Sequence, residues 1–307
     1  MESNIILEDN TWLWIVNTLF YLSLYFLIFV ISNAIFKFKY RKKGIDVNSE
    51  LTVKDNAAFS ILTVGYYLGV LIIFLGVIQG HSAGYLEDAL IISSYSMIGI
   101  LLLLLASIFN EKVIFIKKFK FYKEIIRDEN KGTGFIEAAN FIGSALIIYG
   151  AITGTTINFF AELEEIGLFL SGCISLIAFW ILGQLLLFLF FKIYAKYSPY
   201  NVFKQLEEDN EAVGIVYSSI FISISYLYSQ AIKGNLESWE LMLENIAYYL
   251  VLGLILLPVS RFIIDKIILP KSSLTDEIVH QEIPNKGAAI IEAFAYIGSA
   301  ILISYCI

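Results

Sequence analysis

The sequence predicts an all-α, polytopic membrane protein with eight transmembrane helices in two parallel four-helix repeats. The first observation is composition. Hydrophobic residues make up 58% of the 307 residues and charged residues only 16%, with a mean hydropathy of +0.74. A soluble fold of this size cannot bury so much apolar side chain. The second observation is a series of eight apolar stretches, and the third is a set of motifs that the second half of the chain repeats from the first.

Each apolar stretch is about 20 residues long, which at about 1.5 Å per residue spans a hydrocarbon core about 30 Å thick. Pro258 lies inside the seventh stretch, where we expect a kink or a break. In chain order the stretches are Trp12 to Phe36, Ala57 to Gln79, Ala89 to Phe109, Gly134 to Thr153, Ile166 to Phe191, Ala212 to Ile232, Leu243 to Leu257 with a continuation to Leu269, and Gly287 to Ile307.

The basic residues predict the orientation of these helices. They follow the first, third, fifth and seventh stretches, and all but Lys233 of the 21 Lys and Arg residues fall on that side. By the positive-inside rule, both termini lie outside and the long connections are cytoplasmic. The acidic start, Met1 to Asn10, has no basic region, so we do not expect a removable signal peptide.

The internal repeat predicts a tandem duplication with halves at residues 1–154 and 155–307. Its motifs recur at an offset of 155 (285 − 130), and the pair Asp55-Asn56 recurs as Asp209-Asn210 at an offset of 154 (210 − 56). Within each half the opening asparagines lie 74 (130 − 56) and 75 (285 − 210) residues apart, so the unit is interpreted as a helical hairpin used four times. An even number of helices per half makes the repeats parallel about an axis along the membrane normal. The repeated residues are Asn130-Lys131-Gly132, Glu137-Ala138 and Ile142-Gly143-Ser144-Ala145, which return as Asn285-Lys286-Gly287, Glu292-Ala293 and Ile297-Gly298-Ser299-Ala300.

The polar openings of the even-numbered helices resemble those of a known family, the YjfL-like bacterial inner-membrane proteins. The residues that carry the resemblance are Lys54-Asp55-Asn56-Ala57-Ala58, Asp209-Asn210-Glu211-Ala212 and Asn285-Lys286-Gly287-Ala288-Ala289. Two tandem four-helix copies would cover nearly the whole chain. The pattern departs where Lys-Gly follows Asn130 and Asn285. The resemblance implies an integral protein of the bacterial inner membrane with unknown molecular function, and it supplies no catalytic residue.

Four asparagines open the even-numbered helices: Asn56, Asn130, Asn210 and Asn285. The first backbone N–H groups of a helix have no partner within it, and an Asn side chain is a good acceptor for them. We therefore interpret all four as helix-start caps. A shared polar binding ring at the inner face is the alternative.

One carboxylate in each half follows the repeated opening, and the two are the strongest site signal in the sequence. Glu137 and Glu292 lie about 7 Å into their helices, where a charge begins to lose water. Asn140 and Ser144 share a face with Glu137, and Ser299 keeps the serine position in the second half. This candidate intramembrane polar site is interpreted either as a structural ion pair or helix contact, or as a proton, cation or ligand site.

Cationic partners are predicted for these acids. Arg261 and Lys266 lie near the cytoplasmic end of the seventh helix, at a depth where either could meet Glu292. The first half has no arginine at the equivalent position, so Glu137 would use Lys112 or remain protonated. The two copies are therefore expected not to be interchangeable.

A polar stripe runs along the sixth helix, at Ser219, Ser223, Tyr226 and Gln230. Hydroxyl and amide groups on one helix face can line a water path or form hydrogen bonds between helices. Both interpretations stay open for this stripe.

Enzyme chemistry has little support in the sequence. His81 and His280 fall on opposite sides of the predicted membrane, and Cys173 and Cys306 lack CxxC spacing, so no metal site or cofactor is predicted. The cysteines are interpreted as apolar thiols, with a disulfide as the alternative. The net charge of −7 and the absence of any nucleic-acid-binding motif also argue against a nucleic-acid partner.

Two functions remain open at this stage. The first is a membrane-embedded scaffold or accessory subunit in the lipid bilayer, packed against its own copies in a homo-oligomer or against a membrane partner. The second is a small-cation or proton-coupled channel or transporter that uses Glu137 and Glu292. An intramembrane enzyme is not expected.

Overall fold

The structure is a computed structural model, and it describes residues 2–80, 82, 84–114, 122–154, 160, 163–233, 238–269 and 271–307. Within these ranges eight helices are long and apolar enough to cross a membrane. Three π-helical segments lie at Asn110–Ile114, Tyr122–Arg127 and Asp276–His280. The α-helices are α1 (Glu2–Arg41), α2 (Val47–Thr52), α3 (Ala57–Val77), α4 (Tyr85–Phe109), α5 (Lys131–Thr153), α6 (Glu164–Tyr197), α7 (Val202–Glu207), α8 (Glu211–Ile232), α9 (Trp239–Ile268) and α10 (Lys286–Cys306).

The prediction of eight membrane-spanning helices is confirmed, but several helix ends differ from the predicted stretches, and two of these differences matter for the site. Helix α1 continues past Phe36 to Arg41, and α6 continues past Phe191 to Tyr197. Long basic side chains keep their charge in water while their stems remain on a helix, so the helix outlasts the apolar run. Helix α9 is continuous through Pro258, so the predicted break does not occur.

Four helices form a central row in the order α3, α5, α8 and α10, and the three most extensive helix–helix contacts among the described residues are those between neighbours in this row. The other four long helices lie outside this row. Burial reflects this arrangement. In an 18-residue apolar stretch of α8, 83% is buried inside the protein, whereas the share is 22% in the corresponding stretch of α1. Each outer helix precedes its row helix in the chain, so the molecule consists of four hairpins: α1 with α3, α4 with α5, α6 with α8, and α9 with α10. We call the end at which all four row helices begin the basic end.

Small residues allow the row helices to approach closely. A methyl group on Gly65 of α3 would overlap the backbone of Ala138 on α5, and one on Gly214 of α8 would overlap the backbone of Gly132 on α5. Apolar side chains gain little from leaving lipid for protein, so helices in a membrane associate through close packing of this kind. Helix α5 consequently carries a small-residue face toward each of its two row neighbours.

The four predicted asparagine caps each cap their own row helix. Every one of these residues has an extended backbone conformation, and its side-chain Oδ1 atom accepts the N–H group three residues later. The distances lie between 2.9 and 3.2 Å. The donors are the backbone N–H groups of Phe59, Thr133, Val213 and Ala288.

The amide groups of the first three asparagines also join each hairpin to the next one. Their Nδ2 atoms donate to a backbone carbonyl in the short helical segment that precedes the following row helix. The bonds run from Asn56 to Ile125 at 2.9 Å, from Asn130 to Leu206 at 2.6 Å and from Asn210 to Ile278 at 3.0 Å. Asn56, Asn130 and Asn210 are buried, so these bonds form away from bulk water.

The fourth hairpin ends this series. Asn285 is exposed, and its Nδ2 donates within its own hairpin to Oε2 of Glu277 at 2.9 Å. Hydrogen bonds from Asn285 and Ser272 hold the pKa of Glu277 below its usual value. The residue before each of the first three asparagines has a φ of 51 to 57°. Pro284 precedes Asn285, and a proline ring cannot adopt that conformation.

The outward face of α10 repeats small residues that are packed elsewhere. Gly143 of α5 lies against Ser225 of α8, whereas the nearest described atoms to a Cβ on the equivalent Gly298 belong to the Phe294 ring of its own helix. Phe294 itself is 64% exposed. The row is therefore open at α10.

Replacing Asn130 by Ser should separate the capping bond from the bond between hairpins. Serine keeps a capping oxygen but cannot reach Leu206, so a buried carbonyl loses its donor at a cost of roughly 1–3 kcal/mol. Asn285→Ser is the matched control and should change stability by no more than about 0.5 kcal/mol. The measurement is reversible unfolding in detergent. Equal losses in the two variants would contradict the proposed link.

A second matched pair is Gly143→Ala and Gly298→Ala. The added methyl group on α5 would meet Ser225 and push α8 away, so we expect a lower thermal midpoint of unfolding, with a loss of about 1–3 kcal/mol. The same change on α10 should be tolerated. A comparable loss at Gly298 would show that another chain packs on that face.

Candidate functional site: the paired intramembrane carboxylates

Glu137 lies in the second turn of α5 and is 1% exposed. Its Oε1 atom accepts a hydrogen bond of 2.8 Å from Nδ2 of Asn110. Asn110 is the first residue of the π-helical segment that follows α4, and it is fully buried. The carboxylate therefore ties the basic end of an outer helix to the central row.

Lys39 is the cation that acts most strongly on Glu137. It lies in the last turn of α1, and its ammonium group interacts electrostatically with the carboxylate. The direct hydrogen bond of Lys39 goes to Oγ of Ser107 on α4, at 2.8 Å. Three helices thus meet around one acid: α1 supplies the positive charge, α4 the hydroxyl group, and α5 the carboxylate.

Glu292 lies at the equivalent position of α10 and is 2% exposed. Nε of Arg261 on α9 donates to its Oε1 atom at 2.6 Å, and the hydroxyl of Tyr296 lies 3.4 Å from the same oxygen. The Arg261 guanidinium also donates to Oγ1 of Thr275 at 3.0 Å. A charged pair in such a place is stable only when further hydrogen bonds support it, and Tyr296 and Thr275 supply two of them.

Glu137 and Glu292 occupy equivalent positions in the two halves, but their cationic partners lie on helices that are not equivalent. The position 155 residues before Arg261 is Ala106, and the position 155 residues after Lys39 is Tyr194. The first half therefore places its cation on α1, in the preceding hairpin, and the second half places it on α9, within the same hairpin as the acid. Each acid therefore has a positive charge nearby, although the two cations do not occupy equivalent positions in the repeat.

Each carboxylate has one oxygen without a hydrogen bond to the described residues, namely Oε2 of Glu137 and Oε2 of Glu292. Glu292 also lines a cavity of about 200 Å³ at the basic end. Its other walls include Arg261, Pro258 and several aromatic rings. The rings belong to Tyr194, Tyr197, Tyr200, Tyr217 and Tyr296.

Two of the three predicted cationic partners lie elsewhere. Lys112 is exposed, and Lys39 takes the place beside Glu137 that was predicted for it. Lys266 is 3.7 Å from the neighbouring Asp265 rather than near Glu292. Lys39 was not among the predicted partners, because the apolar stretch ends at Phe36 whereas the helix continues to Arg41.

The other residues of the predicted polar site do not gather around Glu137. Ser144 accepts hydrogen bonds from Trp180 at 2.9 Å and from Gln184 at 3.2 Å, both on α6. Asn140 is buried, and its Nδ2 atom has no hydrogen-bond partner among the described residues. Ser299 is half-buried on α10. The α5 face that carries these residues therefore contacts two outer helices, the end of α4 through Glu137 and α6 through Ser144.

The polar stripe of α8 faces protein. Ser219 and Ser223 are buried and donate to carbonyl groups of their own helix, at 2.6 and 2.7 Å. The hydroxyl of Tyr226 lies 3.1 Å from that of Ser304 on α10, and Gln230 is half-buried. The contact between Tyr226 and Ser304 is a hydrogen bond between two helices, α8 and α10. Cys173 and Cys306 are free thiols, so the alternative of a disulfide is wrong.

A double-mutant cycle on Arg261 and Glu292 tests the tie between α9 and α10. Either single change, Arg261→Ala or Glu292→Gln, leaves one charge in a poorly hydrated place and should cost about 3 kcal/mol. The double variant should lose less than the sum of the two single losses. Lys286 and Glu211 form a more exposed pair at 2.5 Å and provide the control cycle, with a coupling below about 1 kcal/mol. Additive losses at Arg261 and Glu292 would contradict the tie.

Comparison with known proteins agrees with the repeated architecture. A family model described as Domain of Unknown Function (DUF350) matches residues 10–152 and again residues 167–307. The chain is also 22% identical over 284 residues to a UPF0719 transmembrane protein of Aquifex aeolicus (strain VF5), with 92% of this chain and 97% of that protein covered. No solved structure matches the chain. This multi-pass membrane protein therefore belongs to the DUF350 family and carries its domain twice.

Proposed function

We propose that the protein is a membrane-embedded scaffold or accessory subunit. The observation that carries this proposal is the use of both intramembrane carboxylates as ties. Glu137 binds Asn110 at the end of α4, and Glu292 binds Arg261 on α9, so each acid holds an outer helix on the central row. Their local contacts are those of structural groups, although acids inside a membrane are often functional.

The bonds between hairpins support the same role. Three buried asparagines each join one hairpin to the backbone of the next, so the row behaves as one connected body. A scaffold requires such a body, because a partner that docks on one hairpin must meet a surface that the other hairpins hold in place. No catalytic role is assigned to any residue.

The proposal includes a location and an origin. The protein is a resident of the bacterial cytoplasmic membrane with both termini outside, which is supported by the basic residues at one end of the bundle and by the bacterial relative. Its halves, residues 1–154 and 155–307, arose by tandem duplication and correspond to YjfL-like units. Its partners are the lipid bilayer and either a second copy of the chain or another membrane protein, and not a nucleic acid.

A small-cation or proton-coupled transporter is the second candidate. One observation favours it, the cavity of about 200 Å³ beside Glu292, whose Oε2 atom has no hydrogen-bond partner among the described residues. The cavity walls come from α6, α8, α9 and α10 at the basic end, and they reach Ile220 and Tyr296. A transport path would have to continue from there to the opposite end of the bundle.

Flux through reconstituted protein distinguishes the two functions. We expect liposomes containing the purified full chain to show no protein-dependent flux of H⁺, Na⁺ or K⁺, measured with a pH-sensitive dye and ion-selective electrodes. The double variant Glu137→Gln, Glu292→Gln should instead lower the thermal midpoint, because both ties are weakened. Glu87→Gln, at an exposed carboxylate, is the control and should leave stability unchanged. A flux that the double variant abolishes and Glu87→Gln preserves would favour the transporter.

A further inference from the structure

Two grooves at the basic end occupy the same place in the two halves of the molecule. The α1 groove lies where α1 ends and is lined by Lys37, Arg41 and residues 44–48. The α6 groove lies where α6 ends and includes Lys192 and Lys196, which follow Lys37 and Arg41 by 155 positions. Each groove has a volume of about 550 Å³.

The basic residues of both grooves lack carboxylate partners. Among the described residues, none of Lys37, Arg41, Lys192 and Lys196 forms an ion pair. Other cations at this end do pair, for example Lys43 with Glu111 at 2.6 Å. Each groove thus presents two positive charges, spaced four residues apart on one helix face, that form no ion pair with the described residues.

Apolar side chains form the floor of both grooves. Ile45 and Val47 are buried beneath the first pair of charges, and Phe191 and Val202 are buried beneath the second. Phe188 and Phe203 enlarge the apolar part of the α6 groove. A small inorganic anion would gain no binding energy from such an apolar floor. A phospholipid would, because its phosphate is linked through glycerol to apolar acyl chains and lies at the membrane surface.

The grooves lie at the ends of membrane-spanning helices, where lipid headgroups are found. Lys192 keeps its ammonium group 4.3 Å from the centre of the Phe188 ring, so charge and apolar surface adjoin within one groove. We propose that each groove binds one anionic phospholipid, with the two basic side chains on its phosphate and the apolar floor under the first carbons of its chains. This inference is independent of the scaffold role.

One residue makes the two sites unequal. Asp46 caps α2 through the N–H group of Asn48 and places a carboxylate in the α1 groove. Asn201 caps α7 in the same way through the N–H group of Lys204, but it is neutral. Since Asn and Asp cap equally well, Asp46→Asn removes the repulsion without removing the cap. The α6 groove is therefore the tighter site.

The test uses the full chain, purified and delipidated in a neutral detergent, and titrated with phosphatidylglycerol under native mass spectrometry. Two molecules should bind more tightly than any phosphatidylcholine. Lys192→Gln, Lys196→Gln should weaken the tighter site roughly thirtyfold, and Lys37→Gln, Arg41→Gln the weaker one. Asp46→Asn should bring the two affinities together.

The control is Lys112→Gln, Lys271→Gln, which removes two exposed charges outside the grooves. An equal loss of phosphatidylglycerol in this variant would overturn the proposal, because attraction would then depend on net charge alone. Equal retention of phosphatidylcholine would also overturn it. Inorganic phosphate forms a third arm. If it displaces the lipid at comparable concentration, the site recognises free phosphate rather than a lipid. All four groove residues are exposed or half-buried at helix ends, and elution volume in size-exclusion chromatography confirms that each variant remains folded.

Discussion

The fold depends on one side chain used in two directions. In each of the first three hairpins an asparagine accepts a hydrogen bond from its own helix with Oδ1 and donates to the next hairpin with Nδ2. A residue that could form only one of these two hydrogen bonds would either cap the helix or join the hairpins, but not both. Since both bonds form at the helix start, the axial position of each row helix is set by its neighbour. The close glycine contacts further along the row depend on that position.

The intramembrane acids show a second constraint, which is electrostatic rather than geometric. A buried carboxylate requires a nearby cation, but the requirement does not specify which helix supplies it. Lys39 on α1 meets it in the first half and Arg261 on α9 in the second. Such a relocation preserves the charge balance while the local contacts diverge. It also explains why the two halves keep the acid at one position although the cations occupy unrelated positions.

Much of the fold could be predicted from the sequence, because apolar length, basic asymmetry and the repeated asparagines are local signals. The pair of Arg261 and Glu292 could be predicted for the same reason, since the depth of Arg261 in the membrane follows from its place in the seventh apolar stretch. Lys39 could not be predicted, because hydropathy falls at the first lysine whereas the helix continues to Arg41. The bonds between hairpins were hidden too, since they require knowledge of which helices adjoin. The sequence does carry a signal for the bonds within each hairpin. A Glu or Gln precedes each asparagine by five to eight positions and accepts from its amide, namely Glu50, Glu124, Gln205 and Glu277.

The open edge at α10 has a consequence for how proteins of this architecture can change in length. A closed barrel fixes the number of its elements, because adding one requires every neighbour to move. A row with a free end has no such closure condition, and its contacts involve only adjacent hairpins. A further hairpin could be added after α10 if Pro284 and Phe294 were replaced by residues like those at Asp209 and Ala139. Gene duplication can therefore lengthen such a protein by whole hairpins, and the terminal hairpin alone has to adapt.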